Sequence, residues 1–115
     1  MIRKPEECLE EIRNAMRGGP GSVKIKNLVS KEELYNKGRL FGQTTLEPGC
    51  GIGVHEHNGE AEIFFIEEGE AIYNDNGEEV PVKAGDIAIC RSGESHGIIN
   101  NSDKTCRFIA LIISE

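Results

Sequence analysis

The chain has 115 residues, with 13 Lys and Arg against 20 Asp and Glu, for a formal net charge of −7. That length predicts one domain spanning residues 1–115, and 37% hydrophobic with 29% charged residues excludes collagenous and disordered chains. The acidic balance argues against nucleic acid as a partner, as do the absence of Trp and the scarcity of Tyr and Phe for base stacking. Met1 to Ile12 carries early positive charge but no apolar stretch of a secretion signal. The longest apolar run, Phe108 to Ile113, is far below the ~20 residues that span a bilayer, so no membrane association and a cytoplasmic location are expected. Cys8, Cys50, Cys90 and Cys106 form no CxxC pair and read as free thiols of a reducing compartment.

In chain order, residues 5–17 predict a short N-terminal helix. Leu9, Ile12 and Met16 recur at three- and four-residue spacing, Pro5 suits a first turn, and Glu6 and Glu7 suit its positive end. Gly18 to Gly21 ends it. Ser22 to Leu28 alternates, with Val23 and Ile25 opposite Lys24 and Lys26, as on an edge strand. Ser30 and Glu33 have the spacing of a capping box before a short helical turn.

From Arg39 onward the pattern is β. Arg39 to Leu46 is one strand, stopped by Glu47-Pro48-Gly49. Asn76-Gly77 predicts a two-residue hairpin turn, pairing Glu70–Asn74 with Glu78–Val82, because the dipeptide tolerates positive φ at both positions. Ala84 to Asp86 turns the chain into Ile87–Cys90, and Phe108–Ile113 is the last strand. Several strands without interleaved helices predict a sandwich or small barrel. Glu62–Ile66 and Phe108–Ile113 are apolar on both faces. Such strands need cover outside the barrel as well as inside, from the N-terminal helix or from a second subunit, and a homodimer is expected.

His55, His57 and His96 are the chain's three histidines. On a strand His55 and His57 point to one face, and Glu62, Phe64 and Ile66 share a face of the next strand. A carboxylate among Phe and Ile is costly unless paired or bound to a cation, and imidazoles beside a carboxylate suit a divalent transition metal. Here the residues resemble a known family. Gly49-x5-His55-x-His57-x4-Glu62-x6-Gly69 is similar to the first cupin motif at every defined position. Gly85-x5-Arg91-x-Gly93-x2-His96-x3-Asn100 resembles the second, except that the family commonly has Pro where Arg91 stands. The two motifs occupy residues 49–100.

The resemblance implies an all-β double-stranded β-helix, the jelly-roll barrel of cupins. It implies one divalent metal held by His55, His57, Glu62 and His96, with Asn100 lining the barrel rather than ligating. Four N/O ligands leave up to two positions of an octahedron open, which ranks manganese or iron(II) ahead of nickel, cobalt and zinc. The resemblance is to small stand-alone bacterial cupins, some likened to oxalate decarboxylase. The expected function is an enzyme acting on a small organic acid or similar oxygen-rich metabolite, of decarboxylase, lyase or dioxygenase type. The alternatives are a metal-dependent small-molecule binding or sensing module without turnover, and a sugar isomerase or epimerase. No general acid or base is identified; Arg91 and Glu94 sit in the turn before His96, within reach of the barrel mouth, and Glu94 is the one candidate named for proton transfer. Arg39, Gln43 and Thr45 share one strand face and Leu40, Thr44 and Leu46 the other, and parity leaves open which lines the barrel. If the first does, Arg39 is placed to take a carboxylate and Gln43 to hydrogen-bond a substrate. Cys50, beside the first motif, reads as an ordinary thiol and Tyr73 as a packing residue.

Overall fold

Alternating side chains and closely spaced turns produce ten strands in the computed structural model, which describes Met1–Glu115. They are β1 (Leu9–Asn14), β2 (Ser22–Asn27), β3 (Gly38–Leu46), β4 (Gly51–Glu56), β5 (Glu60–Glu68), β6 (Glu70–Asp75), β7 (Glu78–Lys83), β8 (Ile87–Cys90), β9 (Ser95–Ile99) and β10 (Cys106–Ser114). A six-stranded sheet runs β1-β2-β3-β10-β5-β8 and a four-stranded one β4-β9-β6-β7, and every pairing is antiparallel. The two sheets close on Phe64, Phe108, Leu46, Ile66, Ile98 and Val23, all fully buried. This is the jelly-roll double-stranded β-helix that the motifs implied.

The N-terminal helix is not there. Pro5–Glu7 forms a single 3-10 turn, after which residues 9–14 run as β1, paired with β2 from Leu9↔Asn27 to Asn14↔Ser22. Of the apolar residues that suggested a helical face, Leu9 and Ile12 are 78% and 68% exposed and only Met16 packs against the core. A helix of three turns is marginal by itself in water. Pairing instead gives the segment a partner for its backbone groups, and Glu10 reaches Lys24 across the strands at 3.0 Å. One consequence is that β2 is not an edge strand, because β1 covers its outer side.

Other turn signals hold. Ser30 and Glu33 exchange the two hydrogen bonds of a capping box, at 2.8 and 3.2 Å, ahead of a 3-10 turn at Glu32–Leu34. Asn76 and Gly77 both take positive φ, 53° and 97°, and join β6 to β7 with Asp75 opposite Glu78. In β3 the structure settles the parity: Gly42, Thr44 and Leu46 are buried, while Gln43 reaches Glu67 on the outer face.

A bulge in β4 sets the position of the first histidine. Ile52 pairs with Ile98 and His55 with His96, three steps on one strand against two on the other. The extra residue reverses the side-chain parity, so Ile52 and His55 both face inward despite their odd spacing. The bulge is where the turn Met16–Gly18 crosses β4. A Cβ on Gly53 would collide with the Arg17 carbonyl and lie 3.0 Å from the Gly19 nitrogen. Substituting Gly53→Ala is expected to destabilise the fold by about 1–3 kcal/mol, the usual cost of overpacking, read as a lower midpoint in thermal or urea unfolding.

Candidate metal centre

Four side chains converge inside the barrel. His55 comes from β4, His57 from the residue after it, Glu62 from β5 across the sandwich and His96 from β9. Their ligand-type atoms all lie within 4.8 Å of one another. His57 Nε2 is 3.2 Å from His55 Nε2, 3.1 Å from His96 Nε2 and 3.0 Å from Glu62 Oε1, and His96 Nε2 is 3.0 Å from the same oxygen. His57, His96 and Glu62 are buried and His55 is half-buried. Phe64 stacks against the His96 ring at a centroid distance of 5.1 Å and forms the apolar floor.

The outer nitrogens fix which ring atom faces the centre. His55 Nδ1 donates to the Gly53 carbonyl at 2.8 Å, and His57 Nδ1 to the Glu60 carboxylate at 2.6 Å. Neither acceptor carries a proton to give, so in the neutral rings both Nε2 atoms present lone pairs to each other. His96 Nδ1 is 2.8 Å from the Tyr73 hydroxyl, and with Nδ1–H donated there its Nε2 joins them. Glu60 is itself gripped by Arg39 through two bonds, Nε to Oε1 at 2.8 Å and Nη2 to Oε2 at 2.7 Å. Sequence reasoning passed over Glu60 and took Tyr73 for packing. The legible signal was a carboxylate three residues after a motif histidine, since metal-ligating histidines donate their other N–H to such groups.

The electrostatics follow. Arg39 first, then His57, hold Glu60 down to about 2. Burial pushes Glu62 up, but hydrogen bonds and charge from His57 and His96 outweigh it, so its carboxyl stays below the usual range. Glu62 raises His57, while burial lowers His55. Burial also raises the Tyr73 phenol, which remains protonated. A carboxylate with three imidazole acceptors is a donor set for a cation and a poor arrangement without a proton or metal between them. The cluster is compatible with one metal ion.

The centre opens into a cavity of about 190 Å3 lined by His55, His57 and Glu62 and, at its mouth, by Arg13, Arg17 and Arg39. Arg91 and Glu94 do not reach it: Glu94 caps its own turn by accepting from the Arg91 N–H at 2.7 Å. Asn100 is buried, donates to the Leu46 and Lys104 carbonyls and stands outside the cluster. Cys50 also lies outside it, near Gly21, and all four cysteines are free.

Comparison with known proteins agrees with this architecture. The cupin-domain family model matches residues 42–112. An oxalate-binding protein of Thermotoga maritima is 47% identical over 113 residues, covering 98% of this chain and 93% of that one. The chain belongs to the cupin family. A crystal structure of a predicted oxalate decarboxylase from Thermotoga maritima superposes with a TM-score of 0.96 at 44% identity, covering the whole of both chains. A cupin sugar phosphate isomerase from Silicibacter pomeroyi has a TM-score of 0.72 at 22% identity, over 91% of this chain and 71% of that one, and shares the fold alone. The family match begins within β3, so Arg13 and Arg17 are supplied by a segment preceding the matched cupin core.

Proposed function

We propose that His55, His57, Glu62 and His96 hold one divalent transition metal, and that this cupin acts on a small organic acid in the cytoplasm, most simply as a decarboxylase, lyase or dioxygenase. The observation that carries the reading is the set of four inter-ligand distances of 3.0–3.2 Å between lone-pair atoms. Four N/O donors leave up to two positions of an octahedron open, which ranks manganese or iron(II) ahead of nickel, cobalt and zinc. A bound divalent ion would supply Lewis acidity to a carboxylate or carbonyl oxygen.

The protein's own groups do the rest. The Arg39–Glu60–His57 chain keeps the His57 ring from turning, and Tyr73 does the same for His96. Phe64 excludes water from below, and the arginine-rich mouth favours an anion. The cavity is smaller than the ~300–1,000 Å3 typical of drug-sized ligands, which favours a compact acid over a sugar phosphate. One observation supports the alternative of a binding module without turnover: Glu11 is the only carboxylate lining the cavity besides Glu62, so a dedicated proton donor is scarce. The descriptions of the Thermotoga matches, an oxalate-binding protein and a predicted oxalate decarboxylase, are compatible with either reading.

We also propose a homodimer through the outer face of the larger sheet. Registered pairs place Phe41, Leu111, Ile63 and Ile89 in one row across β3, β10, β5 and β8, with Ile109, Phe65 and Ile87 in the next. Ile87, Ile89 and Phe65 are 64%, 50% and 46% exposed. An exposed apolar surface of this kind, bordered by polar residues such as Gln43 and Glu67, is matched by a second copy of itself about a two-fold axis.

Elemental analysis of untagged protein should find one equivalent of manganese, iron, nickel or cobalt per chain, and none after reconstitution overturns the metal centre. His57→Ala should lose most of that metal while far-UV circular dichroism still reports a β fold. Glu60→Gln should lower metal affinity about 10–100-fold, the range for a partner that orients a ligand. Calorimetry on manganese-loaded protein should detect oxalate, and release of carbon dioxide or formate separates turnover from binding. Phe65→Glu should shift the mass by light scattering from two chains to one, and a monomeric parent protein would exclude the dimer.

A further inference from the structure

Of the three arginines at the cavity mouth, two are already engaged. Arg39 is committed to Glu60 by two bonds, and Arg13 lies 3.2 Å from Glu11. Arg17 lines the same cavity as His55, His57 and Glu62 yet has neither an ion pair nor a side-chain hydrogen bond. Its backbone sits at φ 52° and ψ 30°, in the left-handed region that disfavours a long side chain. Ala15, at φ 50° and ψ 45°, and Gly18, at φ 79°, also take positive φ, so three of the four residues from Ala15 to Gly18 do so. The turn is pressed onto β4, where the Arg17 carbonyl occupies the space a Gly53 side chain would need. The same Gly53 accepts the hydrogen bond that orients His55. An arginine held in a disfavoured backbone state, over a cavity that ends in a cation-binding donor set, is positioned for an anion.

We propose that Arg17 is the specificity-determining residue for a compact dicarboxylate, binding with its guanidinium the carboxylate oxygens turned away from the His/Glu cluster. This rests on the reading of that cluster as a metal centre for a small organic acid, and it adds the residue that tells a dianion from a monoanion. A planar guanidinium takes a carboxylate through two parallel N–H···O bonds, an arrangement an ammonium cannot reproduce. The arginine comes from the turn between β1 and β2, ahead of the residues that match the family core.

The test is calorimetry on manganese-loaded protein with oxalate as the dicarboxylate probe and formate as the monocarboxylate probe, alongside metal content and thermal unfolding. Arg17→Asn removes the guanidinium but tolerates the left-handed backbone, so the fold and the metal should be retained. Oxalate affinity should fall about 10–100-fold and formate affinity about two-fold or less, and Arg17→Lys should recover only part of the loss. Equal losses for oxalate and formate would reduce Arg17 to a general source of positive potential and overturn the proposal. Unchanged oxalate affinity in Arg17→Asn, with metal at one equivalent, would overturn it while leaving the organic-acid reading intact. Failure of the loaded parent protein to bind either probe would overturn both.

Discussion

Three imidazole lone pairs and a carboxylate oxygen pointed at one spot is an arrangement a chain does not adopt for its own stability. Each acceptor is separately held by a donor-side anchor: Gly53 for His55, Glu60 for His57 and Tyr73 for His96. Those anchors oppose the repulsion that would otherwise rotate the rings apart. Much of the surrounding architecture serves them. Arg39 at the start of β3 keeps Glu60 ionised and in place, the β4 bulge brings His55 into register with His96, and Phe64 seals the floor. Outside the cluster the buried polar groups are hydrogen-bonded, as Asn100 is to the Leu46 and Lys104 carbonyls.

The strand-rich body and the four converging residues were legible because they rest on local or fixed-gap information. A period of two, an Asn-Gly turn and histidines at motif spacing survive whatever the rest of the chain does. What could not be read depended on contacts made far along the chain. Leu9, Ile12 and Met16 have helical spacing, but β2 is available as a neighbour and the backbone pairs with it. The inward turn of both Ile52 and His55 could not be deduced from alternation, because the bulge that reverses parity lies at Gly53, where the distant turn at Arg17 packs. For β3, composition was balanced between faces, and only the packing of Thr44 and Leu46 under the sandwich decides it. The functions of Glu60 and Tyr73 likewise belong to partners that are ordinary residues until the histidines have been placed.

The N-terminal segment changes the meaning of a minimal cupin. Residues 42–112 build the barrel that the family shares, and the fold alone hosts unrelated chemistries. The β1–β2 hairpin extends the six-stranded sheet at β3, its turn packs on β4 at Gly53, and it contributes Glu11, Arg13 and Arg17 to the cavity lining. Discrimination between ligands can therefore vary with the hairpin while the donor set stays constant.

Glu62 belongs to the six-stranded sheet, whereas His55 and His96 belong to the four-stranded one. Contacts at the centre bridge residues 34 apart for Glu62–His96 and 39 apart for His57–His96. A shared ion at that spot would act as a removable rivet between the two layers, closing long loops much as a disulfide does in oxidising compartments. Its occupancy would then govern how often the layers part, and the lifetime of the folded chain would follow the supply of metal around it.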